Sequence, residues 1–371
     1  MIRVAQILGK MNGGGVEQVV MNYYRFIDRT RVQFDFVVEQ GSLQVPFEEI
    51  SRLGGRVFQV PSMKNLPSYE RALRKLIREQ RWQIVHSHLN ALSVFPLRAA
   101  ACEEVPVRIA HSHSSAGGVE PGRDLLKNVL RCLANVYPTH RFACSDYAGR
   151  WLFGARASFE VVQNAIDVKR FACNDEVRRE VRASLGIADQ CLVVGHVGRF
   201  AVQKNHRFLI DVFERLQRDR NAVLVLIGNG CLEKEVRSLV QQKHLDDSVL
   251  FLGFREDVER FYQAFDVFAL PSHYEGLGIV NIEAQAAGLP CVVSDKVTRE
   301  SDVSGSVVYL PADDPALWAK TIAGFPARPR KALQKAAIEQ RGFGIETAAS
   351  KLLQRYCELA SQVDASRGRD A

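Results

Sequence analysis

No Cys-x-x-Cys pair occurs in this chain, although it holds eight cysteines. They are scattered (Cys102, Cys132, Cys144, Cys173, Cys191, Cys231, Cys291, Cys357), and several sit inside apolar runs. A thiol in that setting behaves as a small buried hydrophobe. The pattern points to a reducing compartment and against a structural zinc cage. No apolar run approaches the ~18–20 residues that a membrane-crossing helix needs. The opening MIRVAQILGKMNGGG is too short in its apolar part, and too glycine-rich after it, to read as a secretory signal. No Lys-Ser/Thr pair follows glycines 13–15, so the first loop is no P-loop, and it is no clean G-x-G-x-x-G either. No D-x-D element stands after a strand in either half, which leaves a divalent cation without a carboxylate holder there.

What is present is a soluble, globular composition, 47% hydrophobic and 25% charged, so the chain can bury a core. At 371 residues it exceeds what one core usually fills, and two domains are expected. A net charge of +7 suits an anionic substrate, a lipid surface or nucleic acid. No aromatic-basic interleave or recognition motif accompanies it, which argues against nucleic acid.

The hydrophobic pattern alternates between short buried strands and amphipathic helices. In the first half, strands are expected at 2–8, 34–38, 56–60, 84–88, 107–110 and 141–144, with helices at 16–26 and 125–136. The helix at 68–82 sets Leu73, Leu76 and Ile77 against Arg71, Arg74, Lys75, Arg78 and Arg81, which suits a solvated surface or a membrane contact. The pattern restarts at Gln190, with strands at 192–196, 223–227, 249–251, 267–270 and 291–293. The expectation is two parallel, doubly wound α/β domains with a cleft between the carboxyl edges of their sheets, divided in the charged stretch near 170–188. A last amphipathic helix, 344–360, carries Ala348, Leu352, Leu353 and Tyr356 on one side.

Ligands in such sheets bind beyond the carboxyl ends of the strands. Four histidines stand there: His86 and His88 after one strand, His111 and His113 after another. Each pair is expected to diverge at its strand end, which disfavours a metal site. His86 also suits a satisfied core position and His88 a loop position. In the second half, Gly198-Arg199-Phe200 follows a strand and Lys204-Asn205 precedes a helix. A guanidinium, an ammonium and a helix N-terminus together suit a diphosphate, the alternative being two ordinary surface cations. The stretch 270–295 then presents Glu275, the turn Gly276-Leu277-Gly278, a short helix carrying Glu283 and a stop at Gly288. Glu275 and Glu283 stand too far apart for an acid–base pair of the hydrolase kind. They suit two grips on one extended ligand, Glu283 on ribose and Glu275 on sugar hydroxyls.

The segment from Glu275 to Asp295 resembles the E-x7-E signature of retaining GT-B glycosyltransferases, in glycosyltransferase family four. Gly13-Gly14-Gly15-Val16-Glu17, the two histidine segments, Gln163-Asn164-Ala165-Ile166-Asp167, Gly198-Arg199 with Gln203-Lys204-Asn205, and Gly228-Asn229-Gly230 resemble other family elements, in order. The resemblance implies a GT-B fold: an acceptor-binding Rossmann-like domain over 1–172, a nucleotide-sugar-binding one over 188–343, and a final helix, 344–362, packing back on the first. It implies transfer of a sugar from a nucleoside diphosphate sugar, a UDP-sugar above all, to a glycan or lipid-linked acceptor in surface polysaccharide biosynthesis. It also implies that the anomeric configuration is retained, that no metal or other cofactor is used, and that the protein is cytoplasmic, with a peripheral place on the inner face of an anionic membrane compatible with this.

Residue by residue, the resemblance gives Gly198, Arg199, Lys204 and Gly228 to the diphosphate and Glu283 to the ribose. It gives Glu275 with Gly276, Leu277, Gly278, Ile279 and Val280 to the donor, Gly15 to the donor phosphates, and His113 to the reacting centre. Arg199, Lys204, Glu275 and His113 form the implied catalytic set. Leu277 and Ala165 depart from the family's commoner Phe and Gly, which touches the donor-sugar pocket and the hinge. Rival readings are a nucleotide-sugar 2-epimerase of the same fold and a basic membrane-binding module.

Overall fold

The computed structural model describes residues 1–113, 121–327 and 335–367. These form two compact units, one running to Ile166 and resuming at Gly342, the other spanning Asp167–Arg341.

The first unit is built on seven parallel strands: β1 Ile2–Ile7, β2 Val32–Glu39, β3 Arg56–Val60, β4 Ile84–Ser87, β5 Val107–Ser112, β6 His140–Ala143 and β7 Glu160–Val161. Their order is β3-β2-β1-β4-β5-β6-β7. Parallel strands are covered on both faces, so they read as apolar runs without alternation. All eight residues of β2 are buried, including Asp35 at its centre. That carboxylate is met by Arg3 at 2.7 Å, by the Trp82 indole at 2.7 Å, and by Arg56. The order reverses between β1 and β4, so the loops after these two strands flank the ligand-binding crevice of such a sheet.

The second unit repeats the plan with β8 Leu192–Val197, β9 Ala222–Ile227, β10 Val249–Phe251, β11 Val267–Leu270, β12 Cys291–Ser294 and β13 Val308–Leu310. The order β10-β9-β8-β11-β12-β13 reverses between β8 and β11. The crevice here lies between the loops carrying Gly198–Lys204 and Pro271–Gly278.

The units divide at Ile166/Asp167, ahead of the 170–188 stretch where a linker was expected. That stretch forms a helix, Asp175–Ser184, whose N-terminus is capped by Asn174. Asp175, Glu176, Arg179 and Glu180 face water, but two of its charges do not. Arg178 and Arg182 reach the buried Asp266 at 2.6 and 3.2 Å, and the same carboxylate accepts from the Val193 amide. A charge run reads as linker only when water keeps the charges, and here a single aspartate takes two of them.

The last helix, Ile345–Arg367, packs on the first unit and buries Tyr356 completely. The helix expected over 68–82 spans Leu66–Gln80, starts under an Asn65 cap and ends at a left-handed Arg81. Arg74 and Arg78 both pair with Glu103, at 2.6 and 2.8 Å. Two of the five basic residues of that face are therefore paired within their own unit, and Lys75 meets only Glu79 of the same helix. The helix expected over 125–136 is Pro121–Arg131. It and the turns after it leave Leu125, Leu126, Val129, Leu133 and Val136 exposed. No helix among the described residues is long and apolar enough to cross a membrane.

Candidate donor site and histidine cluster

Backbone contact between two turns shapes the loop after β8. The Gly198 amide donates to Ile227 O at 2.9 Å, and the Phe200 amide to Asn229 O at 2.8 Å. Gly228 has φ +140°, and a Cβ there would lie 2.2 Å from Gly198 O. Only glycine fits so close an approach. Gly228 thus shapes the loop that Gly198 and Arg199 occupy. Arg199 is exposed and has no ion-pair or hydrogen-bond partner among the described residues. Lys204 ends a short 3₁₀ turn, and a left-handed Asn205 (φ +54°) leads into the helix His206–Asp219.

Lys204 reaches across the sheet's reversal point. Its Nζ lies 2.7 Å from Glu275 Oε1. The Ser272 hydroxyl donates to the same oxygen at 2.8 Å, and Gln203 Nε2 donates to Glu275 Oε2 at 3.1 Å. The His273 amide donates to Gln203 O, which fastens the two loops through backbone as well. Below them, His196 on β8 is bonded to the Ala269 carbonyl on β11 at 2.8 Å. Burial holds His196 down to about 4, so this imidazole is neutral and donates.

Gly278 (φ +81°) is the N-cap of the helix Ile279–Ala286, and no side chain caps that end. The positive end of the helix, with the amides of Ile279 and Val280, is left for a ligand. Leu277 is buried, so its departure from the family's Phe falls at a packed position. Inside the helix, Glu283 accepts from the Tyr262 hydroxyl at 2.9 Å. Burial raises its carboxyl to about 7, with Tyr262 and Arg170 opposing the shift. Glu275 and Glu283 therefore answer to different partners, a cation for one and a phenol for the other.

The second unit thus brings together Gly198, Arg199, Lys204, Gly228, Glu275, Gly276, Leu277, Gly278, Ile279, Val280 and Glu283. Gly15 and His113 belong to the first unit, on its switch-point loop after β1 and just past β5. Gly15 begins the helix Gly15–Phe26.

The four histidines correct the expectation of divergent pairs. Side chains two apart on a strand share a face, and all four imidazoles are buried together. His86 stacks on His88 with centroids 4.2 Å apart, and His111 on His113 at 3.9 Å. His86 Nε2 meets His111 Nδ1 at 3.0 Å, and His88 Nδ1 meets His113 Nε2 at 2.8 Å. Desolvation drives the first three far below the usual imidazole range and His113 to about 3, so all are neutral. The ligand atoms of His86, His88 and His111 lie within 4.8 Å of one another and could hold a metal ion. Imidazole triads suit zinc, copper or nickel. The inference of a metal-free, cofactor-free protein therefore does not stand.

Several residues escaped the sequence reading. Gln203 and Ser272 hold Glu275, Tyr262 holds Glu283, and Gln6 bonds His88. Tyr356 was visible as part of an apolar face; its hydroxyl bonds His86 Nδ1 at 2.7 Å. Neighbourhood to Lys204 and Glu275 was the one signal, available for Gln203 and Ser272 alone.

Residues 13–170 match glycosyltransferase family 4, and residues 177–323 match the glycosyl transferases group 1. EpsF of Bacillus subtilis (strain 168), a protein assigned as a glycosyltransferase, is 38% identical, with 98% of each chain covered. The Escherichia coli UDP-Gal:alpha-D-GlcNAc-diphosphoundecaprenol alpha-1,3-galactosyltransferase is 25% identical over 76% of each chain. The crystal structure of Anabaena HepE in complex with UDP-glucose shares the fold, with a TM-score of 0.72 at 18% identity over 100% of both chains. With β8 and β11 closing on one lysine–glutamate pair, and both units wound alike, the chain belongs to the GT-B glycosyltransferases of family 4.

Proposed function

We propose that this protein transfers a sugar from a UDP-sugar to a hydroxyl of a glycan or lipid-linked acceptor in surface polysaccharide assembly, with retention at the anomeric carbon. The Lys204–Glu275 pair carries the proposal, set at the switch point beside the uncapped helix at Gly278. A cation, a helix N-terminus and an unpaired Arg199 suit a diphosphate. Two carboxylates with separate partners suit hydroxyls at two ends of one donor. The Escherichia coli relative takes a UDP-sugar and a diphosphoundecaprenol acceptor, as its name states. The second unit would hold the donor, with Glu283 on the ribose, and the first unit the acceptor.

Departure of the diphosphate develops negative charge on its leaving oxygen. Arg199 and Lys204 would stabilise that charge more than they stabilise the intact donor, which is how such groups accelerate a reaction. Within the first unit, Gly15 at the start of its helix and His113 just past β5 are the residues to which the family pattern gives the donor phosphates and the reacting centre. The proposed setting is the inner face of an anionic membrane. The apolar residues left bare on the Pro121–Arg131 helix would insert there, with its basic neighbours over the head groups.

Arg199→Ala and Lys204→Gln should each lower kcat/KM for the donor by about 10²–10³-fold while the melting temperature moves by a few degrees. Near-native turnover in either folded variant excludes the assignment. An epimerised free sugar nucleotide, in place of a glycosylated acceptor, makes the protein an epimerase instead.

Glu283 gives a pH test. Its folded pKa of about 7 lies above its ordinary value, so between those values the folded state binds the extra proton. Its contribution to stability is present below the ordinary carboxyl range and is lost as pH rises through about 7. A ribose needs the carboxylate form, so UDP should raise the melting temperature more at pH 8 than at pH 6. Glu283→Gln should remove that difference, and an unchanged difference in this variant rules out the ribose role.

For the membrane, Leu125→Glu with Val129→Glu should cut binding to phosphatidylglycerol vesicles at least tenfold at unchanged activity on a soluble acceptor. Equal vesicle binding by wild type and variant refutes insertion by this helix.

A further inference from the structure

His196 is fully buried on β8 of the second unit. Its Nδ1 lies 2.8 Å from the Ala269 carbonyl on β11. A carbonyl oxygen can only accept, so this bond places the one proton of a neutral imidazole on Nδ1. Burial, helped by the nearby Lys204 ammonium, holds the ring down to about 4, so it is neutral at neutral pH. Nε2 is left with a lone pair, and it has no hydrogen-bond partner among the described residues. A buried acceptor without a donor is costly and calls for an explanation.

The neighbours of the ring narrow the choice of donor. Phe268 lies parallel to it, with centroids 6.4 Å apart, and has no proton to give. His206, the first residue of the helix His206–Asp219, meets it edge to face at 4.7 Å and stacks on Phe200 at 4.2 Å. No hydrogen bond joins the two histidines, and both nitrogens of His206 are without partners as well. The charge that acts on His196 is that of Lys204. A Cβ built on Gly198 would come 3.1 Å from His196 Nε2 and 3.0 Å from Lys204 Cε. The bare nitrogen and the lysine stem therefore border the same backbone position, which carries no side chain to crowd them. The ammonium itself is turned to Glu275 Oε1 at 2.7 Å. It has three protons to give, and Glu275 takes one of them.

We propose that His196 is a positioning residue for Lys204, and that its Nε2 is the acceptor the ammonium takes when it leaves Glu275. The functional meaning rests on Lys204 serving a diphosphate, as proposed above. The advantage lies in charge. Against Glu275 the ammonium is paired with a full negative charge, which competes with a diphosphate. Against a neutral imidazole it is oriented by one hydrogen bond and keeps its full charge for the leaving oxygen. Glu275 is then the resting place of the cation and His196 its working place. The bond to Ala269 fixes the ring, so the working place is set by the backbone of β11.

Two substitutions separate the strand tie from the lone pair. His196→Asn keeps a donor where Nδ1 stands and removes Nε2, whereas His196→Gln keeps an acceptor where Nε2 stands and removes the tie. In calorimetric titration with UDP, His196→Asn should bind about tenfold or more weakly than wild type, and His196→Gln within about threefold of it. In a Lys204→Gln background, His196→Asn should change UDP affinity by less than about twofold, because the donor to the lone pair is already gone. A ligand-free arm uses ¹⁵N NMR of histidine-labelled protein, with the His196 signals assigned by their loss in His196→Asn. Wild type should show His196 protonated at Nδ1 with a free lone pair on Nε2. Glu275→Gln, which releases the lysine, should move the Nε2 signal toward the hydrogen-bonded range, and Glu275→Gln with Lys204→Gln should return it.

If His196→Gln binds UDP as weakly as His196→Asn, the strand tie is what matters and the positioning role is overturned. The same follows if His196→Asn costs as much without Lys204 as with it. An Nε2 signal that Glu275→Gln leaves unmoved overturns the working place. Should His196→Asn fail to fold, His196→Gln and the Glu275→Gln spectra still decide. If wild type binds no UDP, the proposed function fails, and the Glu275→Gln spectrum still decides whether Nε2 receives the lysine.

Discussion

The ion pair between Lys204 and Glu275 ties together everything the second unit offers a ligand. It joins the loops after β8 and β11, neighbouring strands whose connections run to opposite sides of the sheet. Both partners are largely buried, and a buried pair holds only when its remaining bonding capacity is met. Ser272 and Gln203 meet it for the carboxylate. In the proposed function a diphosphate sugar meets the second unit at this pair. On that proposal a polyanion would compete for Lys204, and sugar hydroxyls would take up what Glu275 gives away.

The architecture was largely legible in the sequence because parallel strands buried on both faces announce themselves as apolar runs. The runs at 2–8, 192–196 and 267–270 all returned as strands, shifted by a residue or so. The domain division was less legible. Asp175–Ser184 looks like solvated linker, and nothing local reveals that Arg178 and Arg182 serve Asp266, more than 80 residues later. The Leu66–Gln80 helix shows the same difficulty from the other side. Its arginines suggest a membrane, yet Arg74 and Arg78 are taken by Glu103. The Pro121–Arg131 helix and the turns after it, by contrast, leave five apolar side chains bare.

In the candidate donor site, the residues proposed to meet the donor stand out in the sequence and their hydrogen-bond supports do not. Motif spacing singled out Arg199, Lys204, Glu275 and Glu283. The residues that tune them, Ser272, Gln203 and Tyr262, have ordinary polar side chains and become meaningful only once the strands are ordered. The histidines illustrate a different failure. Their spacing of two places each pair on one face, and strand adjacency of β4 and β5 then merges the pairs into one cluster. A set read as divergent is a buried array able to take a metal ion. Its connection to Tyr356 shows that the final helix supplies a polar group to the sheet as well as covering it.

Exchange of Lys204 between Glu275 and a diphosphate is the central claim, and calorimetric titration of UDP measures it directly. With Lys204→Gln, UDP affinity should fall by about 10–100-fold, the worth of a charge-assisted hydrogen bond. With Glu275→Gln, the lysine is released from its partner, and UDP should bind as tightly as in wild type or more tightly. Equal weakening in both variants would contradict the account, because the pair would then be a structural tie with no part in holding the donor.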